Sequence, residues 1–101
     1  MRIYNIQSLY SHYPEVSTIT LSGAWSSVSG TSNPTLYSLT ANVPFITSAD
    51  SPFIQAISLN TSNEIAKWGS IVEATTSDGS ITFYSTTNAS TSLSLLVKVI
   101  R

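Results

Sequence analysis

Alternation constrains this chain more than any other feature. In Tyr37-Ser38-Leu39-Thr40-Ala41-Asn42-Val43 every odd position is apolar and every even position polar. Successive side chains of a strand point to opposite faces, so a period of two is the mark of a sheet with one wet side. Ser92 to Val99 repeats the pattern, with Leu93, Leu95, Val97 and Val99 on one face and Ser94, Leu96 and Lys98 on the other. Thr18 to Leu21 and Phe53 to Leu59 are further strand candidates.

Ile71 to Thr76 and Ile81 to Tyr84 flank Ser77-Asp78-Gly79-Ser80. An Asp-Gly pair between β-branched and aromatic runs predicts a tight hairpin, because the turn needs a positive φ that glycine adopts without steric penalty. One segment favours helix. Thr61 and Glu64 have the spacing of a capping box, and Ile65, Trp68 and Gly69 follow at intervals suited to one or two turns. In the first sixteen residues Ile3, Ile6, Leu9, Tyr10 and Tyr13 have helix-like spacing, but Pro14 would stop a helix, and a strand or irregular arm is favoured. Pro34, Pro44 and Pro52 fall between the proposed strands, placing turns at 30–34 and 44–52.

Six or seven short strands with at most one short helix, at about residues 62–68, predict an all-β fold: a small antiparallel β-sandwich. The expected division is an N-terminal arm or linker over residues 1–20 and a sandwich domain over 21–101. At 101 residues the chain has material for one core.

The surface of such a domain must be kept wet by something other than charge. Charged residues make up 9% of the chain, against about a quarter in an average protein, whereas Ser and Thr supply about a third. Four Lys and Arg give nucleic-acid binding almost nothing with which to neutralise phosphates. No apolar run reaches the length of a membrane span, and Met1 to Ile6 lacks the apolar run of a signal peptide. The absence of cysteine excludes thiolate metal sites, disulfides and cysteine nucleophiles.

Catalysis has little to build on. Each acid has a structural explanation: Glu64 caps a helix, Asp78 makes a turn, Glu73 lies on a wet face, and Glu15 and Asp50 stand in loops near proline. His12 is the single histidine, and no serine sits in a G-x-S-x-G elbow. The four glycines form no phosphate loop. Asn60 and Asn88 begin glycosylation sequons that are expected by chance in a chain so rich in Ser and Thr. The expectation is a non-enzymatic protein without a cofactor or metal.

Aromatic residues offer more. Trp25, Tyr37, Trp68 and Tyr84 are the candidate ligand-binding residues, since such side chains give large contact area and a polar tip at small entropic cost. For the two tryptophans a place in the core or at a subunit interface is the favoured reading. Abundant hydroxyls can bind neutral, hydroxyl-rich ligands without the desolvation cost of buried charge, and they suit a subunit packed among copies of itself.

The run of Trp25, Pro34 to Val43, Pro52-Phe53-Ile54, Glu64 to Ile71, Thr76 to Tyr84 and Leu95 to Arg101 resembles C-terminal domains of phage tail and baseplate proteins. These are the modules of baseplate appendages and tail fibres of phages that infect Gram-positive bacteria. The resemblance covers about the last three quarters of the chain; the first twenty residues have no counterpart. Ala89-Ser90-Thr91-Ser92 stands where that family usually has a proline before its last strand. The resemblance implies a virion component, usually a homotrimer, that holds other tail or baseplate proteins or touches host cell-wall polysaccharide. It assigns no role to any single residue. A stand-alone carbohydrate-binding or adhesin module unrelated to phage is the alternative.

Overall fold

The alternation of the last strand organises the molecule. A computed structural model describes residues 14–100, in which β7 (Leu93–Ile100) buries Leu93, Leu95, Val97 and Val99 and turns the residues between them outward. It is the centre of a three-stranded sheet, with β1 (Pro14–Leu21) on one side and β4 (Phe53–Ala56) on the other, both antiparallel. A second antiparallel sheet has the order β2 (Ser26–Ser27), β3 (Tyr37–Asn42), β6 (Ser80–Ser85), β5 (Ile71–Ser77). The two sheets enclose a core of Leu21, Ile81, Phe83, Leu95 and Val97 among others, with Val43 and Ile46 closing one end. The architecture is the small all-β sandwich expected from the alternation.

Pro14 to Thr20 lie within β1, which pairs with β7 from Pro14↔Ile100 to Leu21↔Leu93. The expected domain boundary after residue 20 therefore falls inside a strand of the three-stranded sheet. The arm's earlier part, residues 1–13, and with it His12, lies outside the described residues.

The single helix among the described residues, α1 (Ser62–Gly69), begins as the sequence predicts. Glu64 N–H donates to Thr61 Oγ1 at 3.1 Å and Thr61 N–H donates to Glu64 Oε1 at 3.0 Å, so each side chain satisfies the other's backbone donor. β4 is shorter than the Phe53 to Leu59 run suggests. It stops at Ala56, although Ile57 N–H still donates to Ser94 O at 2.9 Å before the chain leaves for α1.

At the hairpin, Ser77 pairs with Ser80, leaving Asp78 and Gly79 as a two-residue turn. The positive φ falls on Gly79, at 84°, and not on Asp78. Asp78 instead reaches across to the neighbouring connection, where its Oδ1 accepts from Ser48 N–H at 3.0 Å. Val43 N–H donates to Gly79 O and Gly79 N–H donates to Ile46 O, each at 2.9 Å. The hairpin tip thus anchors the 43–50 connection that brings Val43 and Ile46 into the core.

Candidate functional site

The register gives the outer faces of the two sheets different chemistry. On the second sheet, Ile81, Phe83 and Ser85 point inward, so Ser80, Thr82 and Tyr84 point out. Across the strands the outward rows are Ser38, Tyr84 and Glu73; Thr40, Thr82 and Thr75; and Asn42, Ser80 and Ser77. Seven of these nine side chains carry a hydroxyl. Pleated spacing sets the rows on a grid of about 4.8 Å across strands and about 6.8 Å along them. Thr40 Oγ1 and Thr82 Oγ1 stand 2.8 Å apart and satisfy one another on the exposed surface. Tyr84, half-buried, is the aromatic side chain of this face.

The outer face of the three-stranded sheet is mixed, with Thr18, Thr20, Gln55 and Ser94 exposed on it beside apolar side chains. It exposes Val16, Phe53 and Ile100, together with Ile57 just past the end of β4.

Of the four aromatic candidates, Tyr84 alone lies on the outer face of a sheet. Tyr37 is half-buried opposite Ser85 and packs against the core, as does Trp68 on α1. Trp25 is part of the core, 7% exposed. Three of the four aromatic candidates thus serve packing, as favoured for the two tryptophans, and the structure does not bring the four together.

Trp25 has an unexpected companion. Lys67, in the last turn of α1, is 2% exposed, and its Nζ lies 3.9 Å from the centroid of the Trp25 ring. The ammonium donates to Ser85 Oγ at 3.1 Å, to Thr87 O at 2.9 Å and, more distantly, to Thr87 Oγ1 at 3.4 Å. A charge buried without a carboxylate is costly, and three acceptors plus the negative face of an indole offset that cost. Burial holds the Lys67 pKa below the ordinary lysine value. No sequence signal marks this lysine, because its neighbours at Ser85 and Thr87 are eighteen and twenty residues away.

A lysine beside serines can activate a nucleophile when the lysine accepts the serine proton. The protons here run the other way. Ser70 Oγ donates to Lys67 O at 2.6 Å, which leaves Ser85 as donor in the 2.8 Å contact between Ser70 Oγ and Ser85 Oγ. Ser85 Oγ then accepts from Lys67 Nζ and from Thr87 N–H at 3.1 Å, filling both acceptor positions. Ser85 is wholly buried. The cluster ties α1 to β6 and to the segment after it.

No protein-family model matches the chain, and the curated proteins and solved structures contain no match to it. Function must be read from surface chemistry.

Two clefts open between the sheets. One, of about 490 Å³, lies between the 48–52 segment and β5 and is lined by Ser48, Asp50, Ile54, Thr76 and Ile81. Two of its polar side chains are already engaged: Thr76 Oγ1 lies 3.3 Å from Ser48 O and 3.2 Å from Asp50 O, and Asp50 Oδ2 accepts from Thr47 N–H at 2.8 Å. The other, of about 370 Å³, follows β1 and β3 at the opposite edge. Neither contains an aromatic side chain. Among the described residues no three His, Cys, Asp or Glu side chains are grouped to hold a metal ion, and no helix is long and apolar enough to cross a membrane.

Proposed function

We propose that this chain is a non-enzymatic module of a phage tail or baseplate. In the virion it assembles with copies of itself, as a homotrimer, and with other tail or baseplate proteins. It makes weak contacts with neutral saccharide of the host cell wall. The observation that carries the binding part is the outer face of the β2-β3-β6-β5 sheet, with its hydroxyl rows and Tyr84. Hydroxyls exchange hydrogen bonds with a sugar without desolvating charge, and a half-exposed tyrosine offers a stacking surface. A flat face of this kind makes a weak single site, and several copies on one assembly convert weak sites into avidity. The sealed geometry of Lys67 and Ser85 supports a non-enzymatic reading.

The same hydroxyl face would serve a stand-alone carbohydrate-binding or adhesin module; that reading requires no self-assembly. Retention of the assembled protein on immobilised Gram-positive cell-wall polysaccharide tests the saccharide contact. Retention lost in Tyr84→Ala, with unchanged folding, is the expected result. Wild-type protein that passes through unretained contradicts the saccharide-binding part.

A further inference from the structure

Regular pairing would not put a carboxylate where Glu73 stands. Ile71 pairs with Ser85, so an uninterrupted ladder would set Val72 opposite Tyr84 and turn Glu73 inward, opposite the buried Phe83. A β-bulge between Ile71 and Glu73 inserts one extra residue into β5 and brings Glu73 opposite Tyr84 instead, on the outer face of the sheet. Bulges re-aim side chains in this way at the expense of ladder hydrogen bonds. Val72, the extra residue, is left 58% exposed beside the pair.

The resulting row crosses all four strands as Ser26, Ser38, Tyr84 and Glu73. It spans three strand spacings, about 14 Å. Glu73 is the one charged side chain of the outward rows, and among the described residues no hydrogen bond or ion pair engages the side chains of these four. The neighbouring row differs, since Thr40 and Thr82 already bond one another. The third row, Asn42, Ser80 and Ser77, has neither an aromatic ring nor a charge. Of the three, the Tyr84 row alone combines a stacking surface, free hydroxyls and a carboxylate.

We infer that this row is a saccharide subsite in which Glu73 determines specificity: a pyranose lies against Tyr84 and donates two adjacent unsubstituted hydroxyls to the Glu73 carboxylate. Ser38 and Ser26 meet the next sugar along the row. The subsite rests on the saccharide contact proposed above and adds the sugar chemistry it selects. A carboxylate only accepts hydrogen bonds, and its two oxygens match two donors on neighbouring carbons. Its charge repels a phosphate or carboxylate on the ligand, so the row favours neutral sugar over anionic polymer. A substituent on either hydroxyl leaves a carboxylate oxygen without its donor and weakens binding.

The test is titration of soluble fragments of neutral Gram-positive cell-wall polysaccharide into wild type, Glu73→Gln, Tyr84→Ala and the control Ser77→Ala, with amide resonances giving each Kd. Circular dichroism verifies that every variant is folded. Gln keeps the shape of Glu73 but not its charge or its second acceptor. Kd should rise about tenfold in Glu73→Gln, the loss of one charge-assisted hydrogen bond, and stay unchanged in Ser77→Ala. On O-methylated fragments, whose rings are intact but whose hydroxyls no longer donate, wild type should bind no better than Glu73→Gln. A wild-type advantage that survives methylation overturns the pairing of hydroxyls with Glu73. An unchanged Kd in Glu73→Gln overturns the subsite; binding still lost in Tyr84→Ala then leaves the saccharide contact standing. Wild type that binds no fragment overturns both.

Discussion

Replacing Ser85 by alanine removes one oxygen from a site with no access to water, and the cost follows from what that oxygen holds. Its loss deprives the Lys67 ammonium of one of its two closer acceptors, leaves Thr87 N–H without a partner, and takes a donor from Ser70. A hydrogen bond to a charged group contributes about 1.5–3 kcal/mol and a neutral one about 1 kcal/mol. Allowing for partial relaxation, Ser85→Ala should destabilise the fold by about 3 kcal/mol. For a domain of this size that lowers Tm by at least about 12 °C. Urea denaturation should show the midpoint falling at constant slope, the sign that stability and not the unfolded ensemble has changed. A second variant isolates the cause. In Lys67→Met/Ser85→Ala the charge that needs the oxygen is gone, so the double variant should be more stable than the summed single losses by about 1–2 kcal/mol. A Ser85→Ala loss below about 1 kcal/mol, or strict additivity in the double variant, would refute the claim that this hydroxyl holds a buried cation.

Burial lowers the Lys67 pKa, and the unfolded chain regains the ordinary value. Between those two values the unfolded chain binds more protons, so raising the pH through that window should stabilise the fold. Wild-type stability measured by urea denaturation should therefore gain on that of Lys67→Met as pH rises from neutral toward the ordinary lysine pKa; a constant gap would contradict it. Gly79→Ala meets no atom within 4 Å but must hold a φ of 84°, so thermal melts should show a loss of roughly 1–2 kcal/mol from backbone strain alone. Thr61→Ala removes the side-chain half of the capping box and should cost about 1 kcal/mol, read by thermal melting with no change in oligomeric state.

Local signals carried most of the fold. The β7 alternation, the Asp78-Gly79 turn and the Thr61–Glu64 box each need residues only a few positions apart, and each is present. What sequence could not supply was long-range. The pairing of β1 and β7 joins strands more than seventy residues apart, which is why Pro14 to Thr20 read as part of an arm. Asp78 illustrates a mixed case: its place in the turn was legible, but its bond to Ser48 was not. The same holds for the candidate site. Tyr84 and Trp25 are equally aromatic, and only strand parity and packing separate an outer-face tyrosine from a core tryptophan beneath a lysine. Leu96, the one apolar residue on the wet side of the β7 pattern, lies on the mixed outer face of the β1-β7-β4 sheet, opposite Thr18 and Gln55.

The saccharide contact is tested most directly by titrating isotope-labelled protein with soluble fragments of Gram-positive cell-wall polysaccharide and following backbone amide resonances. The account predicts shifts concentrated at Ser38, Thr40, Thr82, Tyr84 and Thr75, on the outer face of the β2-β3-β6-β5 sheet. Shifts confined to the β1-β7-β4 sheet, or none at the highest saccharide concentration, would contradict it.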